Sequence, residues 1–268
     1  MTDRTAANTS NGAATRRIIS GLAIISLVGG VGLGVYALFA SLGVWFGMWD
    51  FRTGFNMLRT VNASADWAAW ISLAVTIGVF VGARRLALPN AMRLTSFAAI
   101  GTLAATLAYI IPVSYSAPTG TPAIHDITTD TDNPPQYIAI APLRANAPNN
   151  MIYGEQANWD KPRMAAAQHE AYPDIVPQVF SESKEVVFNR ALASAKALGW
   201  EIVDQNPTTG RIEATDTTFW FRFKDDVVIV VENTAQGSVL NARSLSRVGT
   251  SDVGKNAARL REFFASLR

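Results

Sequence analysis

The chain has 268 residues, 49% hydrophobic and only 16% charged, with no cysteine and a formal net charge of +2. Soluble domains usually carry about 25% charged residues, so this composition points to membrane spans beside an ordinary domain. The lack of cysteine excludes disulfides, thiolate catalysis and Cys-ligated metal, and the sequence implies no other metal or cofactor.

The sequence pI of about 9.0 invites a nucleic-acid reading, which the charge distribution opposes. Up to Tyr115 there are eight Arg against Asp3, Asp50 and Asp66, whereas the remainder holds 15 Lys/Arg against 18 Asp/Glu. Basic excess confined to an apolar half is a topology signal, and a mildly acidic domain carries no phosphate-binding footprint.

Residues 1–17 read as a disordered cytoplasmic tail, and residues 18–115 as a three-span membrane region. The first apolar run, 18–49, exceeds the ~20 residues needed to cross a bilayer as helix. It is also too long for the ~7–15-residue core of a signal peptide. Gly30–Gly34 and Gly43–Gly47 supply small residues four apart, which allow close helix approach. A loop at 49–66 follows, with Trp49, Phe51 and Phe55 as an interfacial belt. The second span covers 67–83 and the third 94–112, joined by a turn at Pro89-Asn90. The tail and second loop carry six Arg, the first loop only Arg52 and Arg59. The bias puts the N-terminus in the cytoplasm of a bacterial inner membrane and everything after Tyr115 in the periplasm.

Residues 116–135, rich in Pro, Thr, Gly and Asp without periodicity, read as a linker before an extracytoplasmic α+β domain at 136–268. His125, Asp126, Asp130 and Asp132 match no calcium-loop spacing and read as a solvated acidic turn. A short helix is expected at 164–171, ended by Tyr172-Pro173. Beyond it, Ser181 or Ser183 can cap a helix whose apolar positions are Phe188, Ala191, Leu192, Ala195 and Leu198.

Strands are expected at 200–204, from Arg211, at 227–231 and at 239–247. Between the second and third, the side-chain phase changes after Asp216-Thr217, requiring a bulge or a break. Residues 224–226 are expected to turn the chain. The run 227–231 is continuously apolar, as in a central strand covered on both faces. In the last strand Arg243 and Arg247 share a face with Leu245. A final amphipathic helix buries Val253, Ala257, Leu260, Phe264 and Leu267. The expected domain is therefore a four-stranded antiparallel sheet with two helices on one face.

The sequence words NPP (133–135), AYPDI (171–175), GW (199–200), IEA (212–214), TTFWFRF (217–223), DDVVI (225–229), RSLSRVG (243–249), SDVG (251–254) and NA (256–257) together resemble the uncharacterised family catalogued as domain of unknown function 1499. WDFRTGF at 49–55 is similar to the loop of its membrane-anchored members. Val230 is a departure, standing where the family pattern carries Arg. The resemblance implies an envelope setting and assigns no activity.

The candidate ligand-binding residues are Arg243, Arg247, Ser251, Lys255 and Trp220. A helix N-terminus with flanking Arg suits a carboxylate, a phosphate or a lipid headgroup. The alternative is structural: Asp252 caps the helix, and Arg243 and Arg247 pair with Asp225, Asp226 or Glu213. The aromatics Phe219, Trp220, Phe221 and Phe223 line either a lipid groove or plain core. No GxSxG, HExxH or Walker motif is present, so no catalytic residue is assigned. The enzymatic alternative is a membrane-anchored hydrolase using His169 with Glu170 and Asp174 nearby in sequence. The reading is thus an inner-membrane protein presenting a periplasmic binding or interaction domain. Its partners are the lipid bilayer together with a lipid, an anionic small molecule or an envelope protein.

Overall fold

The computed structural model describes residues 2–156 and 159–268, and divides into two compact units, Met1–Ser116 and Ala117–Arg268.

The first unit is three helices: α1 (Thr2–Trp45), α2 (Phe51–Arg85) and α3 (Ala91–Ser114). Each contains a stretch long and apolar enough to cross a membrane. Residues 12–17, expected in a disordered tail, are helical in α1; the side chains of residues 1–11 lie outside the described residues. The loop expected at 49–66 is also largely helix. Asp50 caps α2 by accepting from the Thr53 amide at 3.0 Å, so the helix starts 16 residues ahead of the expected span. Ahead of the cap, Trp49 folds back on α1. Its indole N–H donates to the Ala40 carbonyl at 3.1 Å, and its ring fills the space a side chain at Gly43 would need.

Gly30 and Gly101 face each other in a close helix contact. A Cβ there would lie 2.0 Å from the Gly101 carbonyl oxygen, and one at Gly101 would lie 2.0 Å from the Ser26 carbonyl oxygen. The α1–α3 seam therefore closes to backbone distance, as small residues permit in lipid. Ser26 donates to the Ala98 carbonyl across it at 3.2 Å, and Thr76 and Thr102 join α2 to α3 at 2.9 Å.

The second unit is a six-stranded antiparallel sheet with helices. Its strands are β1 (Asp126–Thr128), β2 (Gln178–Phe180), β3 (Glu201–Asn206), β4 (Arg211–Thr217), β5 (Lys224–Thr234) and β6 (Gly237–Ser246). The order is β1-β6-β5-β4-β3, with β2 also on β6. Six strands replace the expected four, because β1 and β2 are three residues long and too short to show alternation. They lie end to end along the outer edge of β6, opposite residues 243–245 and 238–240. β1 also corrects the linker: residues 124–129 are buried, and Asp126 belongs to the sheet.

The chain turns at 218–223, not at 224–226. β4 ends at Thr217, and Arg222 takes a left-handed φ of 55° before β5 begins at Lys224. The phase change is therefore a break between strands. A register shift lies between Ile202 and Asp204 on β3.

Helices α4 (Lys161–Ala171), α5 (Lys184–Ala197) and α6 (Lys255–Ser266) complete the unit. α5 and α6 cover one face of the sheet, packing Phe188, Ala191, Leu260 and Phe263 on Ile212, Ile229 and Leu240. The other face is covered by the irregular segment that carries Tyr137, Ile140 and a 3-10 turn at Ala141–Arg144. Glu213 holds this strap down, its two carboxylate oxygens accepting from the Ile138 and Ile140 amides at 2.8 Å each. Both faces of β5 are thus dry, which is why residues 227–231 are apolar without alternation.

Candidate functional site

Charged side chains gather where β5 begins and β6 ends. Successive residues on a strand point to opposite faces, so Asp225 and Asp226 enter different layers. Asp225 faces α6 and accepts from Arg259 Nη2 at 2.6 Å. The same guanidinium donates to Asp216 at 2.8 Å, to Asn256 Oδ1 at 2.5 Å and to Ser244 Oγ at 3.1 Å. Asn256 in turn donates to the His125 carbonyl and to Ser246 Oγ. Ser244 and Ser246 are therefore members of a buried hydrogen-bonded net under α6.

Asp226 faces the strap and is fully buried. Arg144 Nη1 donates to it at 2.5 Å, Arg247 at 2.9 and 2.8 Å, and Thr215 Oγ1 at 2.7 Å. Burial alone would raise this carboxyl, but the hydrogen bonds from Arg247, Thr215 and Arg144 outweigh it and hold it below the usual range. Farther along the same face, Arg243 makes a two-point contact with Asp126 at 2.9 and 2.7 Å. It also donates to the Pro135 and Met151 carbonyls and lies 5.2 Å from the Tyr137 ring. Its exposure is 0%. Burial works against its charge, and Asp126 more than restores it, raising the guanidinium further.

The N-terminus of α6 already holds an anion, its own. Asp252 accepts from the Gly254 amide at 2.8 Å and from the Asn256 amide at 2.9 Å. Burial raises its carboxyl to about 6 despite these amides. The turn that places it puts Val253 at φ 52° and Gly254 at φ 83°. Left-handed backbone is unusual for a β-branched residue.

The candidate ligand residues fall into two groups. Arg243 is sealed in the interior by Asp126, a partner the sequence hid in an apparent linker. Arg247, Ser251, Lys255 and Trp220 all belong to one end of the sheet: the Arg247 amide donates to the Lys224 carbonyl just after the aromatic turn, Ser251 follows in the β6–α6 connection and Lys255 opens α6. Arg247 pairs with Asp226, one of the three acids anticipated, and its side chain remains 16% exposed. In the turn, Phe219 is 62% exposed and packs edge-on to Trp220, while Phe221 stacks on Phe223.

The enzymatic alternative rests on His169, Glu170 and Asp174, of which Glu170 is exposed. His169 is exposed, with Nε2 at 3.4 Å from Thr131 Oγ1, and Asp174 is held by Arg261 through two bonds of 2.6 Å. Among the described residues no group of three His, Cys, Asp or Glu is placed to hold a metal ion.

Sequence reasoning missed Asp126, Arg144, Gln168, Asn256 and Arg259. Arg259 had a signal: it lies between Asn256, Ala257 and Leu260 on the buried side of α6. Gln168 had none. It sits fully buried on α4, where its amide accepts from Thr128 N at 3.1 Å and donates to Thr128 O at 2.7 Å, completing the outer edge of β1.

The family model for proteins of unknown function, DUF1499, matches residues 126–267, more than half of the chain. The chain belongs to the DUF1499 family. The match opens at Asp126 and runs through the last helix, so the DUF1499 domain includes β1, the strand that supplies the partner of Arg243. Three candidate membrane helices precede it. No curated protein matches the chain.

Proposed function

We propose that this protein is a membrane-anchored binding module of the bacterial envelope, with a DUF1499 domain that takes an anionic, lipid-like ligand on the periplasmic side. The Arg distribution supports that orientation: Arg16, Arg17, Arg84, Arg85 and Arg93 flank one end of the three helices, Arg52 and Arg59 the other.

The observation that carries the reading is the aromatic turn at 218–223, with four aromatic side chains and Phe219 mostly exposed, at the same end of the sheet as Lys224, Arg247 and Lys255. Aromatic surface beside cationic groups suits an amphiphile with an anionic head. The Arg–Asp lattice behind the turn is its rigid support.

The chain has no cysteine, so Thr250→Cys, at an exposed position in the β6–α6 connection beside the aromatic turn, gives a unique labelling position that leaves Phe219 in place. The full-length variant carries a polarity-sensitive fluorophore and is reconstituted in phosphatidylcholine nanodiscs, then titrated with soluble short-chain phosphatidylglycerol. The proposal expects a saturable blue shift that is absent with short-chain phosphatidylcholine and lost when Lys255 is changed to Glu. The same response to both lipids, or none to either, refutes it.

A further inference from the structure

We propose that the end of the helical unit bearing Arg16, Arg17, Arg84, Arg85 and Arg93 binds anionic phospholipid headgroups through their phosphates. This inference stands on that unit alone and is independent of the ligand proposed for the DUF1499 domain.

Packing brings the five arginines to one rim. Ile19, one turn beyond Arg16, packs so closely on α2 that a Cβ at Gly82 would lie 2.8 Å from its Cδ1. Ile19, Ala83, Leu88 and Leu94 form one buried cluster where the three helices meet. The connection from α2 to α3 is held in place. The Leu88 amide donates to the Ala83 carbonyl at 3.0 Å, the Ala87 amide to the Arg84 carbonyl at 3.1 Å, and Ala87 takes φ 47°. Arg84 and Arg85 in the last turn of α2 and Arg93 in the first turn of α3 therefore flank a single ordered turn, beside Arg16 and Arg17 of α1.

All five are exposed. Among the described residues the nearest acid along α2 is Asp66, about 27 Å from Arg84 at helical rise. Exposed apolar side chains adjoin the rim, including Ile18, Phe80 and Met92. Arg84 lies over the Phe80 ring at 5.0 Å. A phosphate on the guanidinium groups would leave its acyl chains against this apolar surface.

Residue choice favours recognition over bulk charge. The first 160 residues contain no lysine, so every base on the helices is Arg. Lys would satisfy membrane topology equally well, whereas the guanidinium fork alone gives two-point contact with phosphate.

The test uses the full chain in nanodiscs of phosphatidylcholine with phosphatidylglycerol, with retained lipid read by native mass spectrometry. The wild type is expected to keep phosphatidylglycerol in preference. The R84Q/R85Q/R93Q variant should lower that preference by about a hundredfold, and R52Q/R59Q, at the other end, should leave it intact. Equal retention of both lipids by the wild type, or the same loss in R52Q/R59Q, overturns the proposal. A second readout is thermal: phosphatidylglycerol should raise the melting temperature of the wild type more than that of R84Q/R85Q/R93Q, and inorganic phosphate added to phosphatidylcholine discs should leave the wild type unchanged. No rise with the lipid, an equal rise in the variant, or an equal rise with free phosphate also overturns it.

Discussion

Asp225 and Asp226 are neighbours on β5, yet they anchor opposite layers of the domain. One takes Arg259 of α6 at 2.6 Å, and the other takes Arg144 of the strap at 2.5 Å and Arg247, just after β6, at 2.8 Å. A single dipeptide thus pins the helix layer and the strap to the same central strand.

The two carboxylates are not equivalent. Arg259 also contacts Asp216, so Asp225→Asn leaves it one carboxylate. Asp226→Asn leaves both Arg144 and Arg247 without their shared counter-charge. Removing one partner of a buried ion pair costs about 3–5 kcal/mol. Asp226→Asn should reach that range and Asp225→Asn should fall well below it, in thermal unfolding followed by tryptophan fluorescence. Equal losses would mean that the strap contributes little to stability.

The legible parts of this fold were those with a period. The α5 stripe, the apolar run of β5 and the alternation along β6 each repeat over several residues, and those elements were placed close to where they lie. β1 was not legible because three residues, Asp126–Thr128, cannot display a period, and its burial is secured by Arg243, 117 residues away. The partner of Arg243 was hidden for the same reason, since the carboxylate that pairs with it belongs to a strand whose sequence resembles a linker. α2 was misjudged because residues 51–66 are polar enough to resemble a loop, while a capping aspartate and packing of Val61 and Ala65 against Ala108 hold them helical.

Gln168 serves β1 as a neighbouring strand would, pairing with both the Thr128 amide and carbonyl. Gln168→Leu keeps the bulk and removes both bonds. Each buried backbone group left without a partner costs about 1–3 kcal/mol. The expected outcome is faster amide exchange at Thr128 and along the β1–β6 pairing, with β3 and β4 unaffected. Unchanged exchange at Thr128 would show that α4 does not secure this edge.

In the membrane unit, Gly101→Ala places a methyl group 2.0 Å from the Ser26 carbonyl oxygen, and neither backbone can yield as a flexible side chain would. α1 and α3 must separate, breaking the Ser26–Ala98 bond. Gly78→Ala is the matched control, since a Cβ there meets nothing within 4 Å. In a chain without native cysteine, a Ser26→Cys/Ala98→Cys pair should cross-link readily in the parent and in Gly78→Ala, and poorly in Gly101→Ala. Equal cross-linking in all three would refute the close seam.

Acid affects the α6 junction through two buried groups with opposite signs. Asp252 titrates near 6 in the folded domain against 3.8 as a free carboxyl, so the folded state binds its proton more tightly. Its contribution to stability is complete below about pH 4 and is lost as pH rises through about 6. The difference between these values corresponds to roughly 3 kcal/mol. His125 is lowered from 6.5, chiefly by burial, so its contribution is present above that value and is lost as pH falls through its folded value. The two partly cancel in the wild type, and Asp252→Asn separates them. Asn keeps one acceptor for the helix amides but carries no proton to bind. Relative to wild type, Asp252→Asn should therefore lose stability near pH 4.5 and recover it near pH 7.5, when unfolding is measured across that range. A difference that stays constant with pH would mean that Asp252 is ionised throughout and acts only as a cap.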